Sequence, residues 1–320
     1  MKTRTRASKM REKMAPSPGA DAANRPGEFI GRPGGVKPED LTPGAAARFR
    51  QEIYHYFHQH GRQLPWRITR DPYHILVSEI MLQQTSVERV ARNYEPFLAA
   101  FPDVASLARA PLAEIMAAWQ GLGYNRRALA LRRIAQRLLA EFGGRLPEAV
   151  ETLRTLPGIG AATAGALAAF AFRQPVVFIE TNIRRVFIHC FFAGKHGIRD
   201  QEILPLVGQT LDRERPRAWY YALMDYGAGL KRLGPNPNRR SAHYQRQSPF
   251  TGSDRQIRGL ILKTVLATPA LSLPAAALAH TVGKNPIRTQ SIIEALIREG
   301  FLEQADGYLR IATGLGVKPR

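Results

Sequence analysis

From residue 44 to about residue 245, apolar side chains return at intervals of three and four positions. Phe49, Ile53 and Phe57 recur every four residues, and Ile75, Leu76, Ile80 and Leu82 behave similarly, as one buried helix face requires. Residues 104–142 continue in the same way, punctuated by Pro111, which suits a helix N-terminus, and by Gly121, Gly123, Gly143 and Gly144. No alternation of β-branched residues is long enough for a central sheet. Only the segment PVVFI (175–179) is strand-like, and in so helical a setting it is expected to be an extended buried connection. The fold class expected here is all-α.

The texture changes after Lys231. Residues 231–253 are polar and rich in Pro, Asn, Arg and Ser, the composition of a loop. A helical pattern over 256–268 follows, then two more at 273–280 and 288–299, the last with Ile292, Ile293, Leu296 and Ile297 on one face. Two short strand-like segments, FLEQ and GYLRI, end at Ile311. Three helices and a two-stranded wing predict a winged-helix-like module over 254–312, with a tail at 313–320. Residues 1–42 show no apolar periodicity. They carry Lys2, Arg4, Arg6, Lys9, Arg11 and Lys13 before a Pro-, Gly- and Ala-rich stretch, and are expected to be a disordered basic arm. Met10 and Met14 are alternative translation starts within it. The helical domain proper is expected over 43–230, with 231–253 as a polar loop.

The chain has 320 residues, enough for two modules and a tail. Its 46 Lys+Arg against 26 Asp+Glu leave a formal charge of +20. So large an excess draws a protein to polyanions, with nucleic acid the usual partner and an anionic membrane surface the other. No apolar run reaches the roughly 18 to 20 residues a membrane helix needs, and no apolar core of a secretory signal follows the basic N-terminus. A soluble cytoplasmic protein, working at the bacterial nucleoid, is expected. The single cysteine, Cys190, excludes an intrachain disulfide and any all-cysteine metal site. Placed between Ile188 and Phe191, it is expected in the core. His55, His58 and His60 are spaced i, i+3, i+5, where exposed helix histidines account for the pattern better than a metal site.

Three motifs carry candidate chemistry. The strongest is LPGIGAATAGALAAFAF (156–172). After Leu156 and Pro157, Gly158 and Gly160 let the backbone turn tightly and open a helix of small residues, with Thr163 in its first turn. Main-chain N–H groups then point outward at a helix N-terminus, a ready site for a phosphate oxygen. The pattern resembles the hairpin of helix–hairpin–helix DNA-binding proteins. The second motif is SEIMLQQTSVERV (78–90), where Glu79 sits among Ile75, Leu76, Ile80, Met81 and Leu82. A carboxyl in such company has a raised pKa and a proton to donate near neutrality. Gln83, Gln84 and Thr85 form an uncharged hydrogen-bonding tip beyond it. The third is FIETNIRRVF (178–187): Glu180 and Asn182 follow an apolar run, with Arg184 and Arg185 behind them. Glu180 resembles the second carboxylate of a glycosidase-like pair. Each carboxylate also has a plainer account. Glu79 would be a solvated helix residue, and Glu180 a charge favouring the positive end of a helix capped by Thr181 or Asn182.

Taken in chain order, with WQGLGYNRRALALRRIA (119–135) between SEIMLQQT and LPGIG, these motifs resemble the helix–hairpin–helix glycosylases that include endonuclease III and the MutY-type adenine DNA glycosylases. LPWR (64–67), DPYHILVSEIMLQQT (71–85), GLGY (121–124), LPGIG (156–160) and MDYGA (224–228) are MutY-like in particular. The match covers roughly residues 45–230, about three fifths of the chain. The resemblance implies two helical subdomains around a cleft, and repair of double-stranded DNA carrying a mismatch or lesion. It implies that Glu79 protonates the departing purine, at N7, and that Glu180 stabilises the positive sugar and orients water, assisted by Asn182. Gln84 and Leu122 match positions that fill the vacated space and touch the opposite strand. Gln83, Thr85, Tyr124, Leu156, Gly158, Gly160, Thr163, Lys231 and Arg232 complete the expected DNA contacts.

This sequence departs from the family in several places. The catalytic aspartate falls on Glu180, whose arm is longer by one methylene, about 1.5 Å. The four iron–sulfur cysteines fall on Lys231, Asn238, Ser241 and Gln247, none of which holds iron through thiolate. No metal or other cofactor is therefore expected, and the loop is expected to offer DNA only charge. The Nudix-like domain with which MutY-type enzymes read 8-oxoguanine has no room in residues 254–312. Gly160 is followed by Ala161 and Ala162, so the lysine of the bifunctional relatives is missing and hydrolysis without strand cleavage is expected. The leading expectation is a monomeric glycosylase removing adenine opposite guanine or 8-oxoguanine. Removal of mispaired thymine or uracil, and non-catalytic DNA binding, are the alternatives.

Overall fold

The computed structural model of the protein describes residues 39, 41–268, 272–274, 277–278 and 285–313. Nearly all of the basic arm, with Met10 and Met14, lies outside them, as does most of the tail. The arm's expected boundary is corrected at its end: Leu41 packs on the core, and the Thr42 hydroxyl caps the first helix by accepting from Ala45 N at 3.2 Å. That helix, α1 (Pro43–His60), turns Phe49 and Ile53 inward.

After the short α2 (Pro65–Ile68), Asp71 starts α3 (Pro72–Leu82) by accepting from Tyr73 N and His74 N at 2.7 and 3.3 Å. Seven of the eleven residues of α3 are buried, so it is a central helix rather than a surface one. Around it lie α4 (Val87–Ala100), α5 (Val104–Arg109), α6 (Leu112–Ala118), α7 (Arg126–Phe142), α8 (Val150–Leu153) and α9 (Ala161–Ala171). The small residues of α9 admit close neighbours: a Cβ at Gly165 would stand 2.5 Å from that of Phe178. A second group, α10 (Thr181–Phe191), α11 (Asp200–Thr210) and α12 (Pro216–Leu233), closes on α1. Phe49 meets Phe187, Phe191 and Trp219 with ring centroids 5.2–5.9 Å apart. The all-α expectation holds for this domain and the loop that follows it: residues 43–253 contain no strand and a single isolated bridge, Ile198 to Ser241. No helix among the described residues is long and apolar enough to cross a membrane.

Residues 175–179 belong to no helix or strand; Phe178 and Ile179 are buried, Val176 packs partly on the core, and Val177 is 40 % exposed. Pro175 and Val177 face outward, while Val176, whose carbonyl accepts from the Tyr220 hydroxyl at 2.6 Å, tethers the segment to the core. In the C-terminal module, α13 (Asp254–Ala267), α14 (Pro286–Glu299), β2 (Leu302–Ala305) and β3 (Tyr308–Ile311) follow the sequence pattern. The pattern at 273–280 does not make one helix. Ser272–Pro274 is a strand, β1, and within 275–280 the described residues are Ala277 and Leu278, which are helical. The sheet is antiparallel with order β1-β3-β2, Leu273 standing opposite Leu309 and Leu302 opposite Ile311. Pairing covers the edge of β3 that a two-stranded wing would leave open, and puts Leu273 on the module's core.

Candidate active site and DNA-facing loops

Glu79 stands in the last turn of α3, flanked by buried Ser78 and Ile80. Burial pushes its carboxyl up to about 8; the negative charge of Glu180 adds to the rise, and Arg67 opposes it. Half-buried in this way, Glu79 differs from a freely solvated helix residue, and its surroundings favour the protonated carboxyl at neutrality. Arg67, at the end of LPWR, is itself fixed. Its Nη1 and Nη2 donate to the two oxygens of Asp225 at 2.7 and 2.8 Å, and its guanidinium lies 4.5 Å from the Tyr221 ring centroid. Arg62 donates to the same carboxylate through Nε at 2.6 Å and its backbone N at 2.8 Å. Burial opposes the charge of Asp225, but these partners hold its carboxyl below the usual range. LPWR and MDYGA thus form one buried unit. Sequence reasoning quoted both motifs and missed the pairing, because 158 residues separate Arg67 from Asp225.

Glu180, across the seam, is the N-cap of α10, correcting the expectation that Thr181 or Asn182 fills that place. Its Oε1 accepts from Asn182 N and Ile183 N at 2.7 and 2.8 Å, and its Oε2 accepts from Asn182 Nδ2 at 3.2 Å. Burial pushes the carboxyl up, while the two backbone donors and Arg185 and Arg184 pull against it. Asn182 is oriented in turn by Arg185, whose Nη1 donates to Asn182 Oδ1 and Gly227 O, both at 2.7 Å. Gly227 of MDYGA is required by packing: a Cβ there would stand 2.4 Å from Asn182 O. So α12 presses on the start of α10 and immobilises Glu180, whose charge Glu79 feels. The cap engages Oε1 with main chain and leaves Oε2 with one side-chain amide.

The loops beside these carboxylates are tied together. Gln83 Nε2 donates to Thr163 Oγ1 at 3.2 Å and Gly158 O at 3.3 Å, joining the α3 tip to the hairpin. Gly158 has φ +75°, and Gly158 and Gly160 are exposed before α9, which starts without a side-chain cap. Its first amides are open to an anion. Gln84 (φ +55°), which is exposed, and half-buried Tyr124 (φ +48°) hold the left-handed conformation that non-glycine residues avoid. Leu122 and Leu156 are corrected: their side chains are 1 % and 2 % exposed, so neither is presented to a duplex. The Leu122 carbonyl instead accepts from Thr85 Oγ1 at 3.2 Å.

Arg127, unassigned by sequence, is the centre of this region. Its Nη1 donates to the carbonyls of Ile80, Met81 and Gln83 at 3.0, 2.6 and 2.6 Å. Its Nη2 donates to Thr85 Oγ1, Leu122 O and Gly123 O at 2.9, 3.1 and 2.9 Å. Burial pulls its pKa down to about 10. The signal was present: Arg127 shares one face of α7 with Leu131, Ile134 and Leu138, all buried.

Lys231 and Arg232 are exposed in the last turn of α12, where cations suit the helix end. The loop beyond them offers more than charge, which corrects that expectation. A 3-10 turn, Pro237–Arg240, lets Asn238 Nδ2 donate to Thr181 O at 2.9 Å, at the start of α10. Arg240 donates to Ile188 O at 2.9 Å and to Phe192 O, at the end of that helix. Ser241 is buried, and the Gln247 amide donates to the Tyr124 hydroxyl. The donor set at 231, 238, 241 and 247 holds no thiol, and its buried members are engaged or enclosed, so it does not fit an iron–sulfur cluster. His55, His58 and His60 are exposed on α1, and among the described residues no three His, Cys, Asp or Glu side chains are placed to hold a metal. Cys190 is buried, which pushes its thiol up.

The HhH-GPD superfamily of base excision DNA repair proteins matches residues 77–204, a span holding Glu79, the hairpin and Glu180. An adenine DNA glycosylase of Mycolicibacterium smegmatis is 33% identical over 279 residues, covering 82% of this chain and 95% of that protein. A thermostable thymine-DNA glycosylase superposes with a TM-score of 0.51 and 26% identity, over 57% of this chain and 86% of that one. An endonuclease III trapped on DNA gives a TM-score of 0.50 at 17% identity, over 78% of this chain and 99% of that one, a likeness of fold alone. The chain belongs to the adenine DNA glycosylase family of the HhH-GPD superfamily.

Proposed function

We propose that this protein is a monofunctional DNA glycosylase that hydrolyses the N-glycosidic bond of adenine mispaired with guanine or 8-oxoguanine. The carrying observation is the pair of carboxyls in one site, Glu79 pushed up to about 8 and Glu180 held by main-chain donors. Environments that separate two carboxyls assign their roles: the one pushed up by burial, with no hydrogen-bond donors on it among the described residues, suits the acid, and the one held by main-chain donors suits the electrostatic partner. The base first leaves the stack, at a cost of about a few kcal/mol that is least at a mismatch. Glu79 gives its proton to the leaving purine, at N7 by family resemblance, and the electron pair of the C1′–N bond departs with the base. Glu180, oriented by Asn182, stabilises the positive sugar, aligns the water that adds to C1′ and takes the proton that this water gives up. Ala161 and Ala162 hold no amine for a Schiff base, so the strand stays intact. The protein is expected to act as a monomer in the cytoplasm, on nucleoid DNA.

The 26% identity to a thymine-DNA glycosylase supports a second reading, removal of mispaired thymine or uracil. A panel of duplexes bearing A:G, A:8-oxoguanine, T:G and U:G, scored for abasic sites in single turnover, separates the two. Adenine release without strand breaks is expected. Release of only pyrimidines transfers the proposal to the second reading, and binding without any abasic site leaves a DNA-binding protein.

Two further expectations concern the end of α12 and the loop beyond it. Freshly purified protein should contain no stoichiometric iron and no visible absorbance band of a cluster; iron at one cluster per chain would overturn the cofactor-free proposal. Neutralising Lys231, Arg232 and Arg239 together should flatten the log–log salt dependence of duplex binding by about 0.9 per lost phosphate contact. Arg240→Gln should leave that slope alone and lower stability by about 2 kcal/mol, since its guanidinium serves the end of α10. An unchanged slope in the triple variant removes the end of α12 and the loop beyond it from DNA binding.

A further inference from the structure

The Tyr124 turn is held from outside the helical domain. The Tyr124 hydroxyl accepts from Arg255 Nη1 of α13 at 2.6 Å and from the Gln247 amide. The guanidiniums of Arg255 and Arg127 stand 5.4 and 5.6 Å from its ring centroid. Arg255 Nη2 is anchored to Ser248 O at 2.7 Å. Two residues further along, Arg126 grips the Glu299 carboxylate of α14 at 2.8 and 2.7 Å, and Arg258 of α13 grips it at 3.0 and 2.5 Å. One half-buried carboxylate therefore fixes the start of α7 to both helices of the C-terminal module. From Tyr124 the connection continues inward, because Arg127 bonds the carbonyls of residues 122 and 123 with one nitrogen and those of 80, 81 and 83 with the other. The last turn of α3, which carries Glu79, lies at the end of this chain of contacts.

We infer that the C-terminal module acts in cis as a brace, with Arg255 a positioning residue that holds Tyr124 and so the α3 tip in the geometry used on a duplex. The inference rests on the proposed glycosylase function and gives the module a part in it. A strained turn keeps its conformation only where its surroundings over-determine it, and Tyr124 lies in the left-handed region while carrying two external donors. A module present only as a tether would need neither a guanidinium on that hydroxyl nor a carboxylate shared between domains.

The test is a double-mutant cycle in the full chain with Tyr124→Phe, which deletes only the hydroxyl, Arg255→Gln, and the pair. Arg126→Gln breaks the Glu299 contact from a side chain that is 74% exposed, so it leaves the fold intact even if Arg255→Gln does not. Each single variant should slow single-turnover excision by about ten-fold, and the double should be no slower than the slower single. Effects that multiply in the double, or parental rates in Arg255→Gln and Arg126→Gln, overturn the brace. If the parental chain excises nothing, the glycosylase proposal fails separately, and hydrogen exchange at the amides of residues 122–125 decides the brace. Faster exchange in Arg255→Gln and Arg126→Gln supports it, and parental exchange overturns it.

Discussion

Glu79→Gln should abolish excision, by about a thousand-fold or more in single turnover, and leave duplex affinity within a few-fold of the parental value. A positioned acid contributes roughly 10²–10⁴-fold, and the amide keeps the shape while removing the transferable proton. Folding should be little affected, because the parental carboxyl is already neutral at pH 7 with its pKa at about 8. The same pKa sets the parental pH profile. The acid is competent while protonated, so excision should fall as pH rises through about 8. Glu180 is competent while ionised, so excision should also fall as pH drops through its pKa, which burial places above the ordinary glutamate range. The two limbs belong to the pair, since each carboxyl feels the other. The basic limb should vanish from any residual activity of Glu79→Gln. Parental turnover in that variant would remove Glu79 as the acid.

What was legible in the sequence was local. The spacing of Phe49 and Ile53 and the glycine turn before α9 each lie within a few residues, and each is legible from period or turn chemistry. Glu79 was legible as a perturbed acid because its apolar neighbours are on its own helix. What escaped was long-range. Arg67 and Asp225 carry no sign of each other across 158 positions. Leu122, in a glycine-flanked turn, reads as exposed, yet Thr85 and Arg127 draw that turn inward and bury it. β1 was lost in a helical pattern because Leu273, Leu278 and their spacing fit either state until β3 supplied an edge. Arg240 carries no sign of its partner either, since a basic loop looks alike whether its guanidinium meets solvent or the end of α10.

Glu180 is where the plain and the catalytic accounts meet, because it caps α10 whatever else it does. Substituting alanine removes both functions at once: the cap, worth about 1 kcal/mol of stability, and the charge beneath the sugar, worth roughly 10²–10³-fold in rate. A series separates them. Glu180→Gln keeps an acceptor for Asn182 N and Ile183 N and loses the charge. If Glu180 acts through charge, this variant should fold near parental stability and excise about a hundred-fold or more slowly. Glu180→Asp keeps the charge on a shorter arm. The glutamate arm folds back so that Oε1 reaches the second and third amides of its own helix, which is where the carboxylate of a capping aspartate lies. Aspartate should therefore restore much the same placement, and its rate should stay within about ten-fold of parental, a misplacement near 1 Å being the larger penalty. A slow Glu180→Asp beside a slow Glu180→Gln would mean a pocket rebuilt around the longer arm, with the carboxylate still catalytic. Parental single-turnover rates in both Glu180→Gln and Glu180→Ala, on the best duplex and with only stability reduced, would take Glu180 out of the chemistry and leave it as the cap of α10.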